Sequence, residues 1–240
     1  MLRYCAAVSR GWEDRAGAWV AWARKPSHDS YWHYRDAFFE LLPPPGGPAL
    51  EVGCGEGRVC RDLRAHGYEV VGLDAAPSLV AAAVDADPGG RYVAGPAESL
   101  PFADASFDLV LAYNSLMDVE DMPRSVAEAA RVLRPGGRFC ACVVHPLIEV
   151  GQWTSHDDDA AFVIERSYFA ERASEETFAR DGLTFTFKSR SYPLEAYARA
   201  LEDAGLLVEA LREPPAPPAQ RAHGRYSRLP MFLLWRSRKP

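Results

Sequence analysis

Residues 51–63 read EVGCGEGRVCRDL, placing Gly53, Gly55 and Gly57 within five positions directly after a short apolar run. Glycines at a strand-to-helix turn let the backbone approach a ligand closely, and the helix behind them offers free N–H groups to an anion. A merely tight turn does not need three alternating glycines. Asp74 closes the next apolar run, VVGLD. A carboxylate at such a tip can accept hydrogen bonds from both hydroxyls of a ribose. A dinucleotide fingerprint has the spacing G-x-G-x-x-G, and here the third glycine arrives one residue early. No Walker lysine follows, which removes a P-loop. Loop and acid together fit any adenosine-containing cofactor and do not discriminate among them.

These residues need elements to hold them. Residues 11–42 are rich in Trp and Tyr at helical spacing, with a break at Lys25-Pro26-Ser27, and read as two helices followed by a PPPGGP linker at 43–48. Strands are expected at 49–52, 68–73, 91–94, 107–113 and 138–144. Helices alternate with them at 58–65, from Pro77, and at 123–133, the last closed by an RPGG turn. That rhythm implies parallel βαβ units with right-handed crossovers. Residues 145–190, aromatic and charged, break it and read as an insertion. A helix at 194–204 and strands at 206–211 and 231–235, joined by the proline-rich EPPAPPAQ, complete the chain. The division expected is one domain: a helical lid (1–47), a cofactor-binding core (48–144), an insertion that covers substrate (145–190), and a C-terminal helix with a strand pair (191–240).

The chain has 240 residues, 48% of them hydrophobic, with a formal net charge of −6 and a pI near 5.6. An acidic balance argues against charge-driven nucleic-acid binding. Cys5, Cys54, Cys60, Cys140 and Cys142 contain no Cys-x-x-Cys and read as free thiols of a reducing compartment. Asp157, Asp158 and Asp159 read as a solvated loop tip rather than a metal site, and no metal is expected. The N-terminus lacks a signal-peptide core, and no apolar run reaches membrane-spanning length. No membrane partner and a cytoplasmic location are the expectations.

Four blocks carry a more specific signal: ALEVGCGEGRVCRDL, VVGLDAAPSLV, GPAESLPFADASFDLVLAYNSLMDVED and EAARVLRPGGRFCACVVHP. In order and spacing they resemble the motifs of class I S-adenosylmethionine-dependent methyltransferases, over roughly residues 49–146. The resemblance implies an α/β fold: a Rossmann-like, seven-stranded, mostly parallel sheet with helices on both faces and an antiparallel last strand. Here it would carry an N-terminal helical lid and an insertion after strand 5. It implies S-adenosyl-L-methionine as cofactor and S-adenosyl-L-homocysteine as product. Carried over, Gly53, Cys54 and Gly55 line the methionine part, and Asp74 takes the ribose hydroxyls beside Ala75 at the adenine. Ala97 presents its amide to the adenine ring. Asn114 offers its carbonyl to the cofactor ammonium, which Glu51 reaches through water. Relatives often carry Asp where this chain has Pro96; Glu98 compensates, or water serves the adenine amino group.

Methyl transfer from a sulfonium is an in-line displacement, so positioning and exclusion of water supply much of the rate. An acceptor hydroxyl or ammonium must also lose a proton. His145, after the fifth strand in VVHPL, borders the crevice of an open α/β sheet and is the first candidate base; the alternative is a histidine held by a loop carbonyl. His33, in YWHYR, is the second. Tyr31 and Arg35 beside it are candidates for the cofactor carboxylate, or for helix packing. The aromatic lids suggest a small-molecule acceptor with apolar bulk, from specialised or cofactor metabolism; methylation on oxygen or nitrogen is the expectation, although these residues do not read the methylated atom. Two alternatives stand: a protein that binds this cofactor in a non-methylating role, and a nicotinamide oxidoreductase. The latter lacks the glycine spacing and a Tyr-x-x-x-Lys pair.

Overall fold

The structure, a computed structural model, describes residues 7–218 and 223–240. Cys5 and the end of the proline-rich loop lie outside the described residues. Two helices, α1 (Ala7–Ala23) and α2 (Tyr31–Phe39), precede the alternating core. That core runs β1 (Pro48–Val52), α3 (Arg58–Ala65), β2 (Glu69–Asp74), α4 (Pro77–Ala86), β3 (Arg91–Ala94), β4 (Phe107–Tyr113), α5 (Met122–Val132) and β5 (Leu133–Val144). The insertion folds as two hairpins, β6 (Gly151–Trp153) with β7 (Phe162–Ile164), and β8 (Arg172–Arg180) with β9 (Leu183–Ser191). Then come α6 (Leu194–Asp203), β10 (Leu207–Arg212), the short α7 (His223–Tyr226) and β11 (Phe232–Arg238).

The expected seven-stranded sheet is present, in the order β10-β11-β5-β4-β1-β2-β3. β11 runs antiparallel to both its neighbours, and the other strands are parallel. Central strands are buried on both faces, which is why β1, β4 and β5 read as continuous apolar runs. Alternate residues serve opposite faces. Val110, Phe139 and Ala141 join a core with Val126 and Ala129 of α5 and Tyr197 of α6. Leu109, Leu111, Cys140 and Cys142 join a second core with Tyr34 and Phe38 of α2 and Leu63 of α3. Asp121 accepts the Arg124 amide at 3.0 Å to cap α5, with Pro123 in the first turn.

The chain reverses its direction of travel across the sheet between β1 and β4. The loops leaving the C-terminal ends of those two strands therefore flank the crevice where open α/β sheets bind ligands.

RPGG does not end the element as a turn. β5 already pairs at Leu133↔Phe107 and resumes at Arg138↔Leu109, so residues 134–137 bulge out between two paired positions. Gly136 (φ +81°) donates to the Lys239 carbonyl at 2.8 Å, and the Lys239 amide returns a bond to Gly137 at 3.0 Å, so the C-terminal segment ties the bulge down.

A lone two-stranded ribbon is marginal in water. Here β8–β9 turns tightly on Asp181 (φ +50°) and Gly182 (φ +77°), and its strand β9 lies against α1. Phe185, 2% exposed, sits 5.8 Å from the Trp12 ring and 5.1 Å from Trp19. Arg15 Nη1 donates to the Thr186 carbonyl at 2.6 Å. At the hairpin tip His28 Nε2 lies 3.0 Å from Asp181 Oδ2, and Arg180 donates to the Ser27 carbonyl. Helix α1, the loop after it and the β8–β9 hairpin thus form one roof, whereas α2, expected as part of the lid, packs into the second core because its aromatic face is apolar.

Candidate active site

The floor of the site is the turn after β1. Gly53 (φ +76°), Gly55 (φ +54°) and Gly57 (φ +82°) all take left-handed conformations, so each glycine is there for its backbone. A Cβ on Gly53 would lie 2.3 Å from Ser115 Cβ. Ser115 in turn donates to the Val52 carbonyl at 2.6 Å, which locks the end of β4 to the end of β1. The Gly53 and Cys54 amides both donate to the Leu73 carbonyl, at 2.7 and 2.9 Å. Gly57 starts α3 with no side-chain cap.

Asp74 is tied into this floor. Its Oδ2 accepts the Gly55 amide at 2.8 Å and its Oδ1 the Ala76 amide at 2.9 Å. Burial raises its pKa, and the two backbone donors oppose that rise. Each oxygen keeps a lone pair for another donor. Glu51, 1% exposed in the middle of β1, accepts the Cys60 thiol at 2.9 Å. Burial pushes its carboxyl up to about 8. A protonated buried carboxyl of this kind waits for a cation to ionise it.

These residues line one cavity of ≈ 920 Å³. Glu51, Gly53, Cys54, Gly55, Asp74, Ala75, Ala97, Glu98 and Asn114 all contribute, and His33 contributes from α2. Asn114 is left-handed (φ +51°), held by its amide on the Cys142 carbonyl at 2.8 Å. Glu98 is neither free nor merely solvated. Its Oε1 accepts the Glu120 and Asp121 amides at 2.7 and 3.1 Å, which secures the approach to α5.

Three expected residues are elsewhere. His145 lies at the end of β5, but its side chain is only 7% exposed and does not line the cavity. Its Nε2 faces Glu213 Oε1 at 2.8 Å, and its Nδ1 accepts the Leu147 amide at 3.2 Å. With both ring nitrogens engaged, it braces the loop after β5 and has no site left for an acceptor's proton. Tyr31 and Arg35 also miss the cavity. The Tyr31 hydroxyl donates to Asp62 Oδ2 at 2.5 Å and Arg35 Nη1 to the same oxygen at 3.0 Å, pinning α2 onto α3.

Sequence reasoning missed a cation that reaches the cavity beside the glycine turn. Arg58 follows the third glycine directly. It pairs with Asp29 Oδ2 at 2.5 Å, and its guanidinium lies 4.4 Å from the Tyr31 ring centroid. It also missed Glu56, whose buried carboxylate is held by Arg24 at 2.9 Å and by Arg61 at 2.8 and 2.9 Å. Position beside the glycines was the available signal for both. Asp118 and Glu149 line the cavity too; Asp118 sits in the quoted NSLMD, five positions past β4. Among the described residues no group of three or more His, Cys, Asp or Glu is arranged to hold a metal. No described helix is long and apolar enough to cross a membrane.

The lining fits S-adenosylmethionine: a carboxylate with free lone pairs for a diol, a buried carboxyl for an ammonium, and a left-handed glycine turn that brings bare backbone to the cavity wall. Comparisons with known proteins agree. A family model described as a methyltransferase domain matches residues 50–141. A malonyl-[acyl-carrier protein] O-methyltransferase of Serratia marcescens is 33% identical over 118 residues, 48% of this chain and 46% of that protein. The match thus spans less than half the length of that relative. A demethylmenaquinone methyltransferase of Chlorobaculum tepidum is 30% identical over 182 residues, 74% of each chain. The crystal structure of an S-adenosylmethionine-dependent methyltransferase from Mesorhizobium loti superposes with a TM-score of 0.70 at 27% identity, covering 88% of this chain and 98% of that one. The chain belongs to the class I S-adenosylmethionine-dependent methyltransferase family.

Proposed function

We propose that this chain methylates a small-molecule acceptor with apolar bulk, on oxygen or nitrogen, in specialised metabolism. The observation that carries this is the continuity of one cavity from the Gly53–Asp74 floor to the aromatic roof of α1 and β9. S-adenosylmethionine, when bound, supplies an electrophilic methyl group. Asp74 holds the ribose, with Ala75 and the Ala97 amide at the adenine. Gly53, Cys54 and Gly55 admit the methionine part by their close backbone approach. Glu51 and the Asn114 carbonyl take its ammonium, and Arg58 its carboxylate, in place of Arg35. Trp19 and Phe187, 5.8 Å apart and both facing the cavity, exclude water and pack on the acceptor. Of the two histidines expected as bases, His33 is the one that lines the cavity and would accept the acceptor's proton. The relative named for demethylmenaquinone supports a small-molecule acceptor.

The test is transfer itself. The protein is incubated with S-adenosylmethionine and a panel of aromatic alcohols, phenols and amines, and products are read by mass spectrometry. A mass gain of one methyl on at least one acceptor supports the reading. Tight cofactor binding with no transfer across the panel supports the non-methylating alternative.

A further inference from the structure

Beyond the floor, the cavity holds two carboxylates for which the cofactor offers no partner. Asp118 lines it, and its carboxylate makes no hydrogen bond among the described residues. The cation that faces it, Arg15, is committed elsewhere: Nε to the Gly11 carbonyl and Nη1 to the Thr186 carbonyl, both at 2.6 Å. Glu149, in a one-turn 3₁₀ helix at Ile148–Val150, lines the same cavity. Its Oε2 is fully buried and has no hydrogen-bond partner. Arg172 bonds the Glu149 backbone carbonyl, not its carboxylate.

A buried carboxylate oxygen without a donor is costly, and a charged donor removes the cost. The small pocket behind Glu149, ≈ 10 Å³, is at the lower limit for a single water. Asp118 and Glu149 both line the main cavity, so a ligand bound there is within reach of both residues. Burial raises the pKa of both carboxyls, and Glu149 adds to the rise at Asp118 and Glu176 to that at Glu149; Arg15 opposes it at Asp118, and Arg172, Arg166 and a Ser174 hydrogen bond oppose it at Glu149. Phe178 and Phe187, with ring centroids 5.7 Å apart, line the same space, and ring faces attract cations.

We infer that the acceptor end of the cavity binds a protonated amine with an apolar body, its ammonium taken by Asp118 and Glu149. This rests on the methyltransferase reading of the cavity and narrows it to nitrogen acceptors. One observation pulls the other way. Arg225 also lines the cavity, its Nε buried without a partner, which would suit an anion.

Three isosteres that differ in charge decide it: phenethylamine, 2-phenylethanol and phenylacetic acid. Each is titrated calorimetrically into the protein with and without S-adenosylhomocysteine. The amine is expected to bind about 10- to 100-fold tighter than the alcohol, the range of one charged hydrogen-bonding partner. Asp118→Asn and Glu149→Gln preserve shape, and each is expected to cost roughly tenfold in amine affinity. Affinity for the alcohol and for S-adenosylhomocysteine should not move. The inference is overturned if the alcohol or the acid binds as well as the amine, if no amine binding is seen at millimolar concentration, or if both variants keep wild-type amine affinity. Failure of S-adenosylhomocysteine to bind, with the amine preference intact, overturns the methyltransferase reading instead.

Discussion

At the floor of the cavity, Gly53, Gly55 and Asp74 meet through backbone hydrogen bonds between adjacent parallel strands. At its roof, Trp12, Trp19 and Phe185 meet through ring contacts, and Arg15 reaches Thr186 across 171 positions of chain. The floor is over-determined: moving any part of it breaks several bonds in the central sheet. The roof rests on one aromatic cluster and a few side-chain clasps on a hairpin outside the sheet. Such a region opens at lower free energy than the core. On the proposed function, the floor holds a constant cofactor and the roof admits and releases the acceptor.

The sharpest way to break this contrast is at Gly53. Gly53→Val places a branched side chain in a left-handed position against Ser115. It should lower cofactor affinity more than about 100-fold and destabilise the fold by roughly 2–4 kcal/mol. Calorimetry and thermal melting read the two effects separately. Asp74→Ala is next. It removes the ribose acceptor and also frees the Gly55 and Ala76 amides, so it should weaken cofactor binding by about 1–3 kcal/mol. Unchanged affinity with a native melting temperature would move the ribose contact elsewhere.

Phe185→Ala tests the roof alone, because Phe185 packs behind the cavity and does not line it. The buried ring is worth about 3–5 kcal/mol where its surroundings cannot collapse. We expect the acceptor KM to rise and cofactor affinity to stay within about threefold of wild type. Equal losses in both would mean that floor and roof are one unit.

Glu51 gives the contrast a pH signature. Its folded-state carboxyl, near 8, lies above the ordinary value of 4.5, so the folded apoprotein binds the extra proton. That contribution to stability is full below about pH 4.5 and is lost as pH rises towards 8. Glu51→Gln should flatten this part of the stability profile, read by chemical denaturation across pH. Cofactor binding at pH 7 should release protons from the wild type and fewer from the variant.

The smallest effect is expected at His145. A catalytic base there would cost on the order of 10²–10⁴-fold in turnover when removed. With both nitrogens bound to Glu213 and Leu147, His145→Ala should instead keep turnover within about threefold and cost about 1–2 kcal/mol of stability. A rate loss of 10²-fold or more without unfolding would restore it to catalysis.

His145 also shows where sequence reading stops. The floor was legible because short apolar runs, glycines and a strand-end acid are local signals; β1 to β4 fall within a residue of their expected bounds. His145 directly follows β5, but Glu213 approaches it from 68 positions away, a contact no local pattern encodes. Tyr31 and Arg35 sat on the right helix and turned their polar ends to Asp62 rather than to the cavity. Arg58 was invisible as a site residue because its partner Asp29 lies in another helix's approach. The insertion read only as a break in the alternation; its Asp181-Gly182 turn and the seating of the roof by Phe185 were not read, the latter because it depends on rings of α1 far away in sequence.

The account stands most directly on one titration: S-adenosylhomocysteine into the wild-type protein by isothermal calorimetry. It predicts a single site per chain with a dissociation constant in the micromolar range or below, about −8 kcal/mol or more negative, and a raised melting temperature when the ligand is in excess. No heat and no thermal shift with S-adenosylhomocysteine or S-adenosylmethionine at millimolar concentration would contradict it.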